Sequence, residues 1–135
     1  MSTLPAPSPL VTVANKEFWD ATAQRRFLLQ RCDACDLVVW FPRRHCPECW
    51  QENLRTFDAS GKGTVYSFTI IRKGVNEYKD AAPFVYAYVE LEEGPRVMTN
   101  IVHCAPDDVR VGMPVSIVWD VTERGPALYR FAPAG

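Results

Sequence analysis

Hydrophobic and polar positions alternate with period two through most of the second half of the chain. Residues 84–91 are the cleanest case. Val85, Ala87, Val89 and Leu91 fall on one face, and Phe84, Tyr86, Tyr88 and Glu90 on the other, the pattern of a strand with one face buried. A first long strand (TVYSFTIIR, residues 64–72) precedes it, after a Gly61-Lys62-Gly63 turn. Glu92-Glu93-Gly94-Pro95 turns the chain into residues 96–102, where Val97, Thr99 and Ile101 share one face and Met98, Asn100 and Val102 the other. Gly112-Met113-Pro114 punctuates before residues 115–121 (VSIVWDV), and residues 127–131 make the last strand. Between the first two strands, residues 73–83 (KGVNEYKDAAP) form a polar loop long enough to be mobile and to carry function.

The first half reads differently. Residues 1–12, with Pro5, Pro7 and Pro9, are expected to be an extended, poorly ordered arm. Asn15 is placed to cap a short amphipathic helix over residues 16–23, with Phe18, Trp19 and Thr22 on one face. That face either packs on its own domain or serves a partner surface or ligand pocket, so Phe18 and Trp19 are candidate ligand-binding residues. Residues 26–31 read as a strand and residues 37–41 as its return partner.

These two segments bracket a cysteine pattern. Cys32-Asp33-Ala34-Cys35 and Cys46-Pro47-Glu48-Cys49 are separated by ten residues. Four thiolates in two Cys-x-x-Cys pairs are the complement of a closed tetrahedral zinc site. A redox pair would call for a βαβ context, and two disulfides for an oxidising compartment. Residues 1–9 carry neither the charged n-region nor the apolar h-region of a signal peptide. No apolar run approaches the ~20 residues of a membrane span. A cytoplasmic setting is therefore expected. His45 adjoins a ligand cysteine but would be a fifth donor, and is read as an outer-shell or solvent residue. Arg43 and Arg44 beside the knuckle suit a phosphate-bearing ligand, or form a solvated turn. Cys104 stands apart and reads as a semi-buried thiol.

Five strands joined by turns match an OB-type barrel, and a ribbon of some twenty residues, about the span of the knuckles, would need its metal to fold. Charge then narrows function. Fifteen Lys and Arg against sixteen Asp and Glu leave a net charge of -1, without the basic excess of most nucleic-acid binders. No Ser/His/Asp grouping stands out, and four cysteines leave zinc no open position for a water.

The ordered motifs resemble a known family. They are Phe18-Trp19, Leu29-Gln30-Arg31-Cys32-x-x-Cys35, Pro42-Arg43-x-x-Cys46-Pro47-x-Cys49 and Gly61-x-Gly63-x-Val65-Tyr66-Ser67. Pro83-Phe84-Val85, Glu90-Leu91-x-Glu93-Gly94 and Val111-Gly112-Met113-Pro114-Val115 complete the set. From about Asn15 onward the chain looks like the zinc-ribbon plus OB-fold proteins long called a domain of unknown function. The resemblance implies a mainly β chain with a short N-terminal helix, a rubredoxin-like four-cysteine zinc ribbon and a C-terminal five-stranded OB-fold barrel. The expected parts are residues 1–29, 30–52 and 53–135. It also implies a non-catalytic subunit in a hetero-oligomer with a thiolase-like or hydratase-like enzyme. There the ribbon and loops would help hold an acyl-CoA thioester, as in steroid side-chain degradation by a thiolase-like aldolase. Two positions depart from the family pattern: Asp36 stands where glycine is frequent, and Trp50 where a small residue is frequent.

The alternative class is a nucleic-acid-binding OB module, with Phe84, Tyr86 and Tyr88 as a stacking face. The charge balance predicts that it fails. A fluorescence titration with a short single-stranded oligonucleotide near physiological salt should show no sub-micromolar binding, and such binding would reverse the ranking.

Overall fold

The computed structural model describes residues 2–135 and places the barrel where the alternation does. β4 (Lys62–Ile71), β5 (Phe84–Leu91), β6 (Arg96–Ile101), β7 (Pro114–Val121) and β8 (Ala127–Pro133) close in the order β4-β5-β6-β8-β7. Val65, Val85, Ala87, Val89, Leu91, Val97, Ile101, Val115 and Phe131 fill the interior, and Tyr86 and Tyr88 face outward. Tyr66 is the extra residue of a bulge between Val65 and Ser67, opposite Val89 and Tyr88, which lets the long strand bend around the barrel. Both glycines of the Gly-x-Gly turn are required sterically. Gly61 has φ +81°, and a Cβ on Gly63 would sit 2.7 Å from the Glu90 carbonyl oxygen. The barrel closes between β6 and β8 through a short parallel pairing of Ile101 with Phe131. There the Thr99 hydroxyl donates to the Tyr129 carbonyl at 3.1 Å. Among the described residues, no helix is long and apolar enough to cross a membrane.

A second, three-stranded sheet has the order β2-β1-β3, from β1 (Leu28–Cys32), β2 (Val38–Val39) and β3 (Leu54–Asp58). β3 was not legible in the sequence, because Arg55, Thr56 and Asp58 are exposed and only Leu54 and Phe57 are half-buried. It pairs with β1 from Leu28↔Asp58 to Cys32↔Leu54, so the ribbon sheet extends beyond residue 52.

α1 (Lys16–Thr22) joins sheet and barrel. Phe18 and Trp19 are 1% and 8% exposed, so this helix face packs on its own domain, one of the two alternatives the sequence leaves open. Phe18 meets Trp19, Phe27 and Trp40 at ring-centroid distances of 5.0, 5.3 and 5.1 Å. Tyr129 of β8 lies 5.1 Å from Phe27 and 5.8 Å from Trp40. Each such pair contributes about 0.5–1.5 kcal/mol beyond its buried area. Burial pushes the Tyr129 phenol up to about 12. Thr22 pins the helix to β8: its hydroxyl donates to the Trp19 carbonyl at 2.6 Å and accepts from the Ala127 N–H at 3.1 Å. Asn15 precedes the helix without capping it by side chain. Its carboxamide accepts from the Thr12 N–H at 2.6 Å and donates to the Leu10 carbonyl at 3.2 Å.

The N-terminal arm is tethered rather than free, as far as the described residues 2–9 go; Met1 lies outside them. The anchor is a buried ion pair, Arg130 Nε to Asp120 Oδ2 at 3.1 Å, with the residues 4% and 1% exposed. A guanidinium so deep needs acceptors on every N–H. It donates to Asn100 Oδ1, to the Pro5 carbonyl at 2.7 Å and to the Tyr78 hydroxyl at 3.2 Å. Asp120 in turn accepts from the Ser2 N–H at 2.8 Å and from the Ser2 hydroxyl. Tyr78 also packs on Phe84, 5.4 Å between centroids, so loop 73–83 is folded onto the barrel by the same network.

Burial alone would raise the Asp120 carboxyl, but the hydrogen bonds from Ser2 and Arg130 and the guanidinium charge hold it below the usual carboxylate range. A carboxylate lowered on folding stabilises the protein fully above its unfolded pKa, and that contribution is lost as pH falls through the folded value. Arg130→Met should therefore cost about 3–5 kcal/mol at neutral pH by leaving a buried charge unpaired. The deficit should shrink at acid pH, where Asp120 of the variant, raised by burial without its guanidinium, has taken up a proton and no longer leaves a buried charge unpaired. Urea denaturation at the two pH values measures this, and an equal deficit at both overturns the assignment.

Candidate metal centre

The two cysteine pairs fold into knuckles with matching hydrogen bonds. In the first, the Cys32 N–H donates to the Leu37 carbonyl at 2.9 Å and the Asp36 N–H to the Cys32 carbonyl at 2.9 Å. In the second, the Cys46 N–H donates to the Gln51 carbonyl at 3.0 Å and the Trp50 N–H to the Cys46 carbonyl at 2.8 Å. Both turns place the residue after the second cysteine in the left-handed region, Asp36 at φ +62° and Trp50 at φ +63°. Asp bears this conformation well among non-glycine residues, as its place in the sequence implies. For a side chain like Trp the cost is about 1–2 kcal/mol. The Trp50 side chain is 74% exposed.

The knuckles bring the four sulfurs within 4.8 Å of one another. Cys32 Sγ lies 3.6 Å from Cys49 Sγ, and Cys35 Sγ 3.5 Å from Cys46 Sγ. A tetrahedral ion with metal–sulfur bonds near 2.3 Å sets sulfurs about 3.8 Å apart, so the cluster fits such an ion. The protonation energetics agree. The Cys49 N–H is the largest influence on Cys46 and, with the Glu48 N–H and neighbouring thiols, outweighs burial to lower it to about 7. At Cys35 the Leu37 N–H lowers the thiol, yet the Cys46 and Cys32 sulfurs and burial together push it up to about 12. Cys49 is raised in the same way, by burial and by Cys32 and Cys46 against the Gln51 N–H. Without a cation, Cys35 and Cys49 resist ionisation beside the neighbouring sulfurs. A divalent metal supplies the charge that lets all four become thiolates.

The other candidates lie around this centre or away from it. Gln30 clamps the approach to the second knuckle, its carboxamide donating to the Arg43 carbonyl and accepting from the Arg43 N–H, both at 2.8 Å. Arg44 Nε and His45 Nε2 share Glu52 Oε1, at 3.0 and 3.2 Å. His45 thus bonds a carboxylate rather than serving as a ligand of the cluster. The Arg43 guanidinium is exposed and takes part in none of the ion pairs among the described residues. Phe18 and Trp19 belong to the core and not to this site. Cys104 is half-buried, its thiol raised by burial and by Asp108. Gln30 and Glu52 were missed as site-shaping residues because their partners are set by the fold of the ribbon.

Fold and site together define a four-cysteine metal ribbon joined to an OB-type barrel. The chain matches two family models, the ChsH2 rubredoxin-like zinc ribbon domain over residues 19–55 and the ChsH2 C-terminal OB-fold domain over residues 57–120. The chain belongs to this ChsH2 family of zinc-ribbon and OB-fold proteins. It is 41% identical over 110 residues to a "DUF35 domain-containing scaffold protein" of Methanothermobacter thermautotrophicus, covering 79% of this chain and 83% of that one. It is 37% identical over 128 residues to a "Probable enoyl-CoA hydratase alpha subunit" of Thermomonospora curvata, covering 95% of this chain. It spans only 40% of that subunit's length. A solved structure described as "Ltp2-ChsH2(DUF35) aldolase" contains a chain that superposes with a TM-score of 0.84 at 36% identity, covering 95% of this chain and 100% of that one.

Replacing Cys46 by serine removes one buried ligand. The variant is expected to lose its metal on purification, as measured by elemental analysis. Amide exchange should rise over residues 30–52 while β4–β8 stay protected, because the barrel has its own apolar interior. Full metal retention in an ordered ribbon would contradict the four-cysteine site.

Proposed function

We propose that the chain is a non-catalytic, zinc-binding accessory subunit of the cytoplasm. It helps bind an acyl-CoA thioester and supports a thiolase-like or hydratase partner in lipid or steroid acyl-CoA metabolism. The observation that carries this reading is the pairing of a saturated sulfur site with an unengaged guanidinium beside it. All-thiolate tetrahedral coordination suits zinc, and four protein ligands confine the ion to holding backbone. Arg43 projects from that fixed backbone, its own N–H and carbonyl held by Gln30, so little main-chain freedom is lost when it meets a ligand. Guanidinium groups present paired donors to phosphate oxygens. Arg44 is held by Glu52 and can add a second contact by exchanging that partner. The descriptions of the related proteins, a hydratase subunit, a scaffold protein and an aldolase, supply the partner classes.

Replacing Arg43 and Arg44 together by alanine tests the phosphate role. In the assembled complex the Michaelis constant for the CoA thioester should rise about tenfold or more with kcat little changed, as expected for lost uniform binding. An unchanged Michaelis constant in an intact complex rejects the arginine assignment.

A further inference from the structure

The barrel carries a cleft that neither the metal centre nor the core accounts for. It opens between loop 73–83 and β5, walled by Ile71, Val75, Tyr78, Phe84 and Tyr86, and measures about 460 Å³. That lies within the ~300–1,000 Å³ typical of small-molecule sites. In OB-type barrels ligands sit on the face of the second and third strands, beside the loop that follows the first. Here those parts are β5, β6 and loop 73–83. The cleft is preformed. Tyr78 packs on Phe84 at 5.4 Å, and its hydroxyl accepts from Arg130 at 3.2 Å. A Cβ on Gly74 would fall 1.9 Å from the Tyr78 carbonyl oxygen, so the loop turns back on itself as closely as glycine allows.

The lining selects among ligand chemistries. Asn100 reaches the cleft, but its carboxamide already donates to the Val85 carbonyl at 2.8 Å and accepts from Arg130. The Tyr78 hydroxyl is turned to the same guanidinium. Little directional bonding is left for the sugars and bases that usually occupy this face. A single cation is also no track for a nucleic-acid backbone. That cation is Lys73, the one charged side chain of the lining, and it joins none of the ion pairs among the described residues. Apolar walls with one free ammonium match an apolar chain that ends in a carbonyl or carboxylate head. Resting on the accessory-subunit reading above, which supplies the thioester, we infer that this cleft binds the acyl chain. Its walls bury the methylenes, and the Lys73 ammonium donates to the carbonyl oxygen at the head.

The test is isothermal titration of the full chain with CoA, with straight-chain acyl-CoAs from butyryl to decanoyl, and with the matching free carboxylates. Affinity should rise about three- to fourfold per methylene until the cleft is full. Val75 is exposed, so Val75→Trp fills the cleft without removing a core side chain. It should flatten that rise and weaken decanoyl-CoA about 30-fold, while Tm and the affinity for CoA itself stay as in the parent. Lys73→Met should weaken every chain length by a similar factor, about three- to tenfold. Free carboxylates that follow the same rise uphold the cleft as a site for the acyl group itself. Carboxylates binding where thioesters do not would overturn the thioester as the source. If acyl-CoAs bind and Val75→Trp keeps the parent's rise, the cleft is refuted while the accessory-subunit reading stands. If neither series binds, the inference falls, and the accessory-subunit reading is judged separately by the Arg43 and Arg44 variant in the complex. A Val75→Trp variant that weakens only the partner complex would overturn the inference in favour of a protein contact.

Discussion

Four cysteine sulfurs held within 4.8 Å of one another impose a charge problem that the rest of the ribbon is arranged around. Cys46 is drawn towards the thiolate by backbone N–H groups, and that same sulfur helps push Cys35 up to about 12. Peptide dipoles alone do not hold four negative charges at this separation, whereas a divalent cation does. The matching turns, the left-handed residues at Asp36 and Trp50, and the clamp of Gln30 on Arg43 all follow from presenting those sulfurs to one centre. A metal held by these sulfurs would also fix the backbone from which the exposed side chains of the knuckles project.

The ribbon is not an independent appendage. Phe27, Leu28 and Leu29, at the start of its first strand, belong to the same apolar cluster as the barrel interior. The aromatic contacts of Phe18, Trp40 and Tyr129 carry that cluster from helix to ribbon to β8. Force on the knuckles is transmitted to the barrel through close-packed rings rather than a flexible hinge. A subunit that positions a ligand against a partner gains from such stiffness, because misplacement by about an ångström at a reacting centre is costly.

The second organising element is the Arg130–Asp120 pair. Its buried guanidinium gathers the arm through Pro5, the long loop through Tyr78 and the barrel through Asn100. One cation thus fixes two segments of irregular backbone that would otherwise have little apolar area to hold them. Breaking either contact leaves donors or acceptors buried without partners, which favours keeping the whole set.

The sequence by itself determined the barrel strands, because period-two alternation in residues 84–91 and 96–102 can bury only one face. It also determined the cysteine quartet, since ligand count and spacing are local properties. Net charge likewise bore on partner class without coordinates. Tertiary structure alone decided the rest. β3 joined the ribbon because its pairing with β1 needs no buried face of its own. Phe18 and Trp19 became core rather than surface because Tyr129, more than a hundred residues away in sequence (~110), closes over them. The arm was captured by an arginine whose burial no local pattern announces. Trp50 was left outside for the converse reason: an amphipathic pattern tells which face is apolar, but only the assembled fold shows which apolar groups it leaves uncovered.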